Sequence, residues 1–373
     1  MEDYCFPRSR RFLRVLVASL VVSVLPCLAS PAMAQYKQTN LVSNVPNLAI
    51  HLDPNLVNPW GIVAGPTTPF WISDNGAGVS TLYNGDGVPF PPASPLVVMV
   101  PPPAGGTSSA PTGIVFNATT DFVVSANGKS GAARFIFATE DGTISGWNPG
   151  VDATNAVLAA DESSSMAVYK GLAMASKDSK NYLYATDFHN GYVQVFDAMF
   201  MPAWTFTDHH LPSGYAPFGI RNINGMLFVT FAKQDADKHD DVKGPGHGFV
   251  DIFDPAGHLI RRFASRGVLN SPWGLAVAPP GFGRFSNKLL VGNFGDGRIN
   301  SFNLSNGKFH GQLRTHKGKA IAIDGLWGLT FGNGSNAGPT TDLFFTAGPN
   351  DEADGLFGRI RHVGDGDGDE DDD

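Results

Sequence analysis

The chain is poor in cysteine and in charge. Of its 373 residues two are cysteines, Cys5 and Cys27, and both precede residue 35. From Gln35 onward there is therefore no disulfide, no thiolate metal site and no cysteine nucleophile. Charged residues make up 16%, against about a quarter in an average globular domain, while hydrophobic residues reach 42%. That balance excludes a disordered chain and a coiled coil. The apolar stretch Val15–Leu25 falls well short of the ~20 residues that a membrane-spanning helix needs. No basic stripe is present to replace phosphate counterions, so nucleic acid is excluded as a partner. The G-x-S-x-G, H-E-x-x-H and phosphate-loop patterns are missing as well.

What is abundant points to strands. The chain has 44 Gly and 27 Pro, which break long helices, and 27 Phe, which suit sheets. The net charge of −8 is concentrated in the tail, where the last ten residues hold seven acids and no base. Residues 1–34 read as an export signal. Arg8, Arg10, Arg11 and Arg14 precede the apolar stretch, and Ala32-Met33-Ala34 offers a small-residue cleavage site. The expected layout is a signal peptide over 1–34, a folded body over 35–362 and a disordered acidic tail over 363–373. The mature protein would be periplasmic or extracellular, monomeric and without a transmembrane span.

A repeat runs through the whole body. PWGIVA at Pro59, PTGIVF at Pro111, YKGLAM at Tyr169, PFGIRN at Pro217, PWGLAV at Pro272 and LWGLTF at Leu326 share a central glycine. These glycines, from Gly61 to Gly328, are spaced 52, 58, 48, 55 and 54 residues apart. Each unit continues with two further apolar runs, such as FIFAT at Phe135 and ISGWN at Ile144, and a weaker fourth stretch. Four short strands per ~50 residues describe a propeller blade. The sequence predicts an all-β, six-bladed β-propeller of four-stranded antiparallel blades. The segment Tyr36–Ser43 precedes the first repeat and is expected to complete the last blade, hiding its edge.

The third unit, LYATDFHNGYVQVFD, resembles an NHL-type repeat. Across nearly all of residues 35–361 the chain resembles a family of uncharacterised bacterial exported proteins. NLVNPWGI, FIFATEDGTISGWNP, AKQDADKHDDV, SPWGLA, GNFGDG and FTAGPNDEADGLFG carry that likeness. Some members end in a PEP-CTERM sorting signal, where this chain has its acidic tail. The resemblance supplies a fold and no reaction. The favoured function class is a binding or scaffold module of the envelope, for a small molecule, glycan or protein. By fold analogy with lactonase and streptogramin-lyase propellers, the alternative is a metal-dependent hydrolase or lyase.

Strand order determines which residues can meet. The turn before each first strand and the turn after each second strand fall on one face of the disc. The first set brings Trp60, Thr112, Lys170, Phe218, Trp273 and Trp327 to the channel mouth. The second set brings Asp74, Glu140, Asp187, Gln234, Asn293 and Asn350 beside it. An aromatic ring next to acids and amides is a candidate ligand site, with His189 as a candidate proton carrier. Asp and Asn in such turns also cap their own backbone, and ring aromatics also pack blade to blade. The enlarged turn of the fourth blade, residues 233–247, carries Asp237, His239, Asp240 and Asp241. The sixth-blade turn, residues 348–355, is enlarged as well and brings Asp351, Glu352 and Asp354 over the same mouth. These oxygen ligands are candidates for Ca²⁺ or Mg²⁺, and His239 with a carboxylate is a candidate for Zn²⁺.

Overall fold

The computed structural model describes residues 1–5 and 35–364. The expected leader and the acidic tail fall almost wholly outside that range. Among the described residues, 26 of the 27 strands group into six blades and one small hairpin, and the remaining one, His51–Leu52, forms an edge ribbon. The first strands of the blades are Pro59–Val63, Pro111–Phe116, Tyr169–Lys177, Tyr215–Ile223, Pro272–Val277 and Leu326–Phe331. Each lies innermost and carries the repeat glycine. Five blades are four-stranded. In the sixth, Gln35–Ser43 pairs antiparallel with Leu356–Val363, and His51–Leu52 adds a short parallel ribbon outside it. The N-terminal segment thus closes the ring as the repeat predicts, with pairing that runs one residue past the expected boundary, to Val363.

The pattern of burial follows from this stacking. Second strands such as Phe70–Asp74 and Phe135–Thr139 are buried at every position, because neighbouring blades cover both faces. Fourth strands face solvent, and Pro202–Phe206 is mostly exposed. Six hydrophobic clusters each span two successive blades, including the pair formed by the sixth and the first. Trp71 and Phe135, for example, stack at 4.0 Å across the first interface. Burial of such rings, at about 1.5–3 kcal/mol each, is what holds a disulfide-free ring closed.

The repeat glycines have a physical cause. Around the axis, each first strand passes against the backbone of the next, so closely that a Cβ on Gly219 would lie 2.3 Å from the Trp273 carbonyl oxygen. Second-strand threonines bridge the same gap, with Thr186 Oγ1 donating to Phe218 O at 2.7 Å and Thr346 Oγ1 to Trp60 O at 2.5 Å. The second blade also carries an inserted hairpin, Val123–Ala126 with Lys129–Ala132, turned at Asn127-Gly128.

Candidate functional site

The expected aromatic ring at the mouth is a sealed floor rather than an open lining. Trp60 and Trp327 stack on one another at 3.5 Å and are 2% and 1% exposed. Phe294 stacks on the other side of Trp327 at 4.0 Å, and Phe218 and Phe188 complete the plug. Trp273 meets both stacked tryptophans edge-on and stays partly open. The flat faces of Trp60 and Trp327 are spent on packing, so neither offers a surface to a ligand.

Above that floor lies a charged cluster from five blades, centred on Lys170. This lysine replaces the aromatic residue in the YKG version of the repeat and is 1% exposed. Its ammonium donates to Glu140 and, at 3.1 Å, to Asp240 Oδ1. It also stands 5.2 Å from the Trp60 ring centroid, a cation–π contact. Burial alone would lower the Lys170 pKa, but Glu140 and Asp240 outweigh it and hold it raised. Glu140 accepts a second hydrogen bond from Asn75 Nδ2 at 2.7 Å. Asn58 Nδ2 donates to Glu352 at 2.8 Å, and Trp327 Nε1 donates to Asn58 Oδ1 at 3.2 Å. Burial pushes the Glu352 carboxyl up, and the nearby Glu140 adds to the effect.

The enlarged fourth-blade turn covers this cluster. It folds back on itself through Val242 N to Lys233 O and Asp235 N to Asp240 O. His239 Nδ1 lies 3.0 Å from Asp240 Oδ1. That bond raises the His239 pKa and, with Lys170, holds Asp240 well below the usual carboxylate range. Asp237 is exposed and away from the cluster, while the Asp241 carboxyl is pushed up by burial. Of the four metal ligands expected in this turn, the structure brings His239 and Asp240 together, with Glu140 as the third donor. Their ligand atoms lie within 4.8 Å of one another. The protonated Lys170 already lies between the two carboxylates. With it in place, this donor set fits an ammonium and not a divalent cation.

Three of the remaining candidates, Asp187, Asn293 and Asn350, serve their own turns. Asp187 is buried and accepts from Asn190 and the Val168 amide. Asn293 donates to Val268 O and Asp296. Asn350 is exposed and donates to Asp354 Oδ2 at 3.2 Å. Asp74 is wholly buried with both oxygens unpartnered, and burial raises its pKa. His189 sits beside the floor, where its carbonyl accepts a long bond from Gln234 Nε2. Sequence reasoning passes over Asn58 and Asn75, whereas it does bring Glu352, in the sixth-blade turn, to this mouth. The signal for Glu352 lies in the acidic DEAD turn of the sixth blade, in which Asn350, Asp351 and Glu352 all take positive φ.

With this geometry in hand, the chain can be set beside known proteins. Two uncharacterised proteins of Acanthamoeba polyphaga mimivirus are each 34% identical to it over 338 residues. The matches span 88% of this chain and 81% and 86% of theirs. The chain belongs to their family. No protein-family model matches it. Among solved structures, virginiamycin B lyase from Staphylococcus aureus aligns with a TM-score of 0.51 at 16% identity, covering 89% of this chain and all of that one. A glucose dehydrogenase aligns with a TM-score of 0.53 at 12% identity, over 88% of this chain and all of that one. At such identities the likeness is one of propeller fold. Among the described residues no helix is long and apolar enough to cross a membrane.

Proposed function

We propose that this protein is an exported, non-catalytic binding propeller of the cell envelope, with the Lys170 end of the axis as its docking face. The observation that carries this reading is the state of Lys170. A lysine nucleophile or base requires a lowered pKa, whereas this one is clamped by Glu140 and Asp240 and raised. The aromatic floor also stops a substrate from entering between the blades. What remains open to solvent is a rim of carboxylate, imidazole and amide groups around His239, Asp240 and Asn350, suited to hydrogen-bonding a hydroxyl-rich ligand such as a glycan. Export rests on the arginine-rich, apolar and Ala-x-Ala order of residues 1–34, with bacterial-type envelope sorting left to the resemblance.

The test is an oligosaccharide array probed with the full chain and with a variant carrying Gly/Ser in place of residues 237–241. Loss of binding in the variant with an unchanged melt supports the docking face. Equal binding by both sends the face elsewhere. The convergence of Glu140, His239 and Asp240 favours a metal-assisted hydrolase or lyase as the second reading, but only if Lys170 moves out. Stoichiometric Ca²⁺ or Zn²⁺ in purified protein, lost in Asp240→Asn, would replace the first reading by the second.

A further inference from the structure

Behind the aromatic floor the axis is open. A channel of about 330 Å³ runs between the six inner strands, at the small end of the range that ligand sites occupy. Its walls are apolar, with Ile114, Leu172 and Met174 among them, and Trp273 stands at its inner end. It reaches the ends of the first strands at the half-buried Ala64 and Met174 and the exposed Asn222, on the disc face opposite Lys170.

One charged side chain enters this lumen, Arg221. Its Nη1 donates to the carbonyl oxygens of Leu275 at 3.0 Å and Leu329 at 2.8 Å, and its Nη2 donates to Thr330 Oγ1 at 3.3 Å. These acceptors belong to the fifth and sixth blades, so the guanidinium is fixed across the axis. Among the described residues no carboxylate comes within ion-pairing distance of it. Nε–H and one Nη2–H remain without a protein acceptor. A brace across three blades would need only neutral donors such as a glutamine amide. Arg221 is half-buried, and its positive charge, set among apolar side chains and strand backbone, carries a desolvation cost that its carbonyl partners offset only in part. Burial accordingly lowers the Arg221 pKa, with no acid nearby to restore it. The feature that completes such a site is an anion with two oxygens and an apolar remainder.

We propose that the axial channel binds an organic carboxylate with a short apolar body, anchored on Arg221 and lying along the Leu172 and Ile114 walls toward Trp273. The full chain titrated with octanoate, read by calorimetry and by tryptophan fluorescence, should show saturable binding. Octanamide has the same length and no charge, and should bind at least ~10-fold more weakly. Arg221→Met should lose octanoate by a similar factor, Arg221→Lys should keep part of it, and the 237–241 Gly/Ser variant should bind it normally. Equal affinity for octanoate and octanamide, or no saturation by octanoate up to about 1 mM, overturns the proposal. If Arg221→Met fails to fold, the comparison of the two probes on the unaltered chain still decides.

Discussion

Gly328 in the sixth blade faces Trp60 in the first so closely that a Cβ on the glycine would stand 2.6 Å from the tryptophan carbonyl oxygen. This is the point at which the ring closes on itself. Gly328→Ala should therefore push the last blade off the first and lower stability by about 1–3 kcal/mol. Gly364→Ala meets nothing within 4 Å and is the control. Thermal melts that move equally for the two variants would remove steric closeness as the reason for the repeat glycine.

Lys170→Met leaves the carboxylate of Glu140, 13% exposed, without its cation. The expected loss at neutral pH is about 3 kcal/mol, since a partly buried acid is left uncompensated. Removing the stranded acid as well, in Lys170→Met with Glu140→Gln, should recover part of that loss. Urea denaturation of the single and double variants checks it, and equal losses would show that the lysine acts through packing alone.

Asp251 and Asp208 flank Arg262, and both carboxylates are fully buried. Burial raises the Asp251 pKa from 3.8 to about 7, against the pull of Arg262, while Asp208 is lowered. A carboxyl raised in the folded state holds a proton that the unfolded chain has released. Asp251 thus costs stability progressively as pH rises from about 4 through 7, up to a bound of about 4 kcal/mol. The lowered Asp208 acts oppositely, and its contribution is lost below the ordinary carboxylate range. Asp251→Asn should therefore melt higher than the unaltered protein at pH 8 and show no such gain at pH 4. Calorimetric melts across that range decide, and a gain confined to low pH would reverse the assignment.

Trp60→Ala removes a ring stacked on Trp327 in the axial floor and should cost roughly 3–5 kcal/mol. Trp273→Ala, whose ring is partly open to the channel, should cost less and should quench the fluorescence response to octanoate. Chemical denaturation of the two variants side by side tests the ranking.

The blades were legible because inner strands are covered on both sides and so read as continuous apolar runs after a glycine. Fourth strands such as Phe309–Gln312 lie at the rim, half in solvent, and left only a weak trace. The Asn127-Gly128 hairpin carried its own turn signal, but it falls inside a blade rather than between blades and does not repeat. Glu140 and Lys170 were placed at the mouth by strand order alone. Their ion pair was not readable, because it joins side chains thirty positions apart across a blade interface. Arg221 had a signal of another sort. At the second residue after each repeat glycine the units carry Val63, Val115, Ala173, Arg221, Ala276 and Thr330, so a single charge interrupts an otherwise uncharged register. Its meaning depends on which way that register faces, and only the closed ring shows that.

The pairing of Gln35 with Val363 gives the ring a property that a linear description hides. Because the two ends of the described body lie on neighbouring strands, the six blades have a cyclic order with no mechanically privileged first member. A short linker joining 363 to 35 would make the backbone continuous there, and new termini could be cut in the exposed 209–214 connection between the third and fourth blades. Such a permuted chain would contain the same interfaces, yet its closing strand would no longer be the one that emerges first in synthesis. The native order instead pairs the first strand of the body with its last, so the edge of the sixth blade can be covered only after residue 363 has been made.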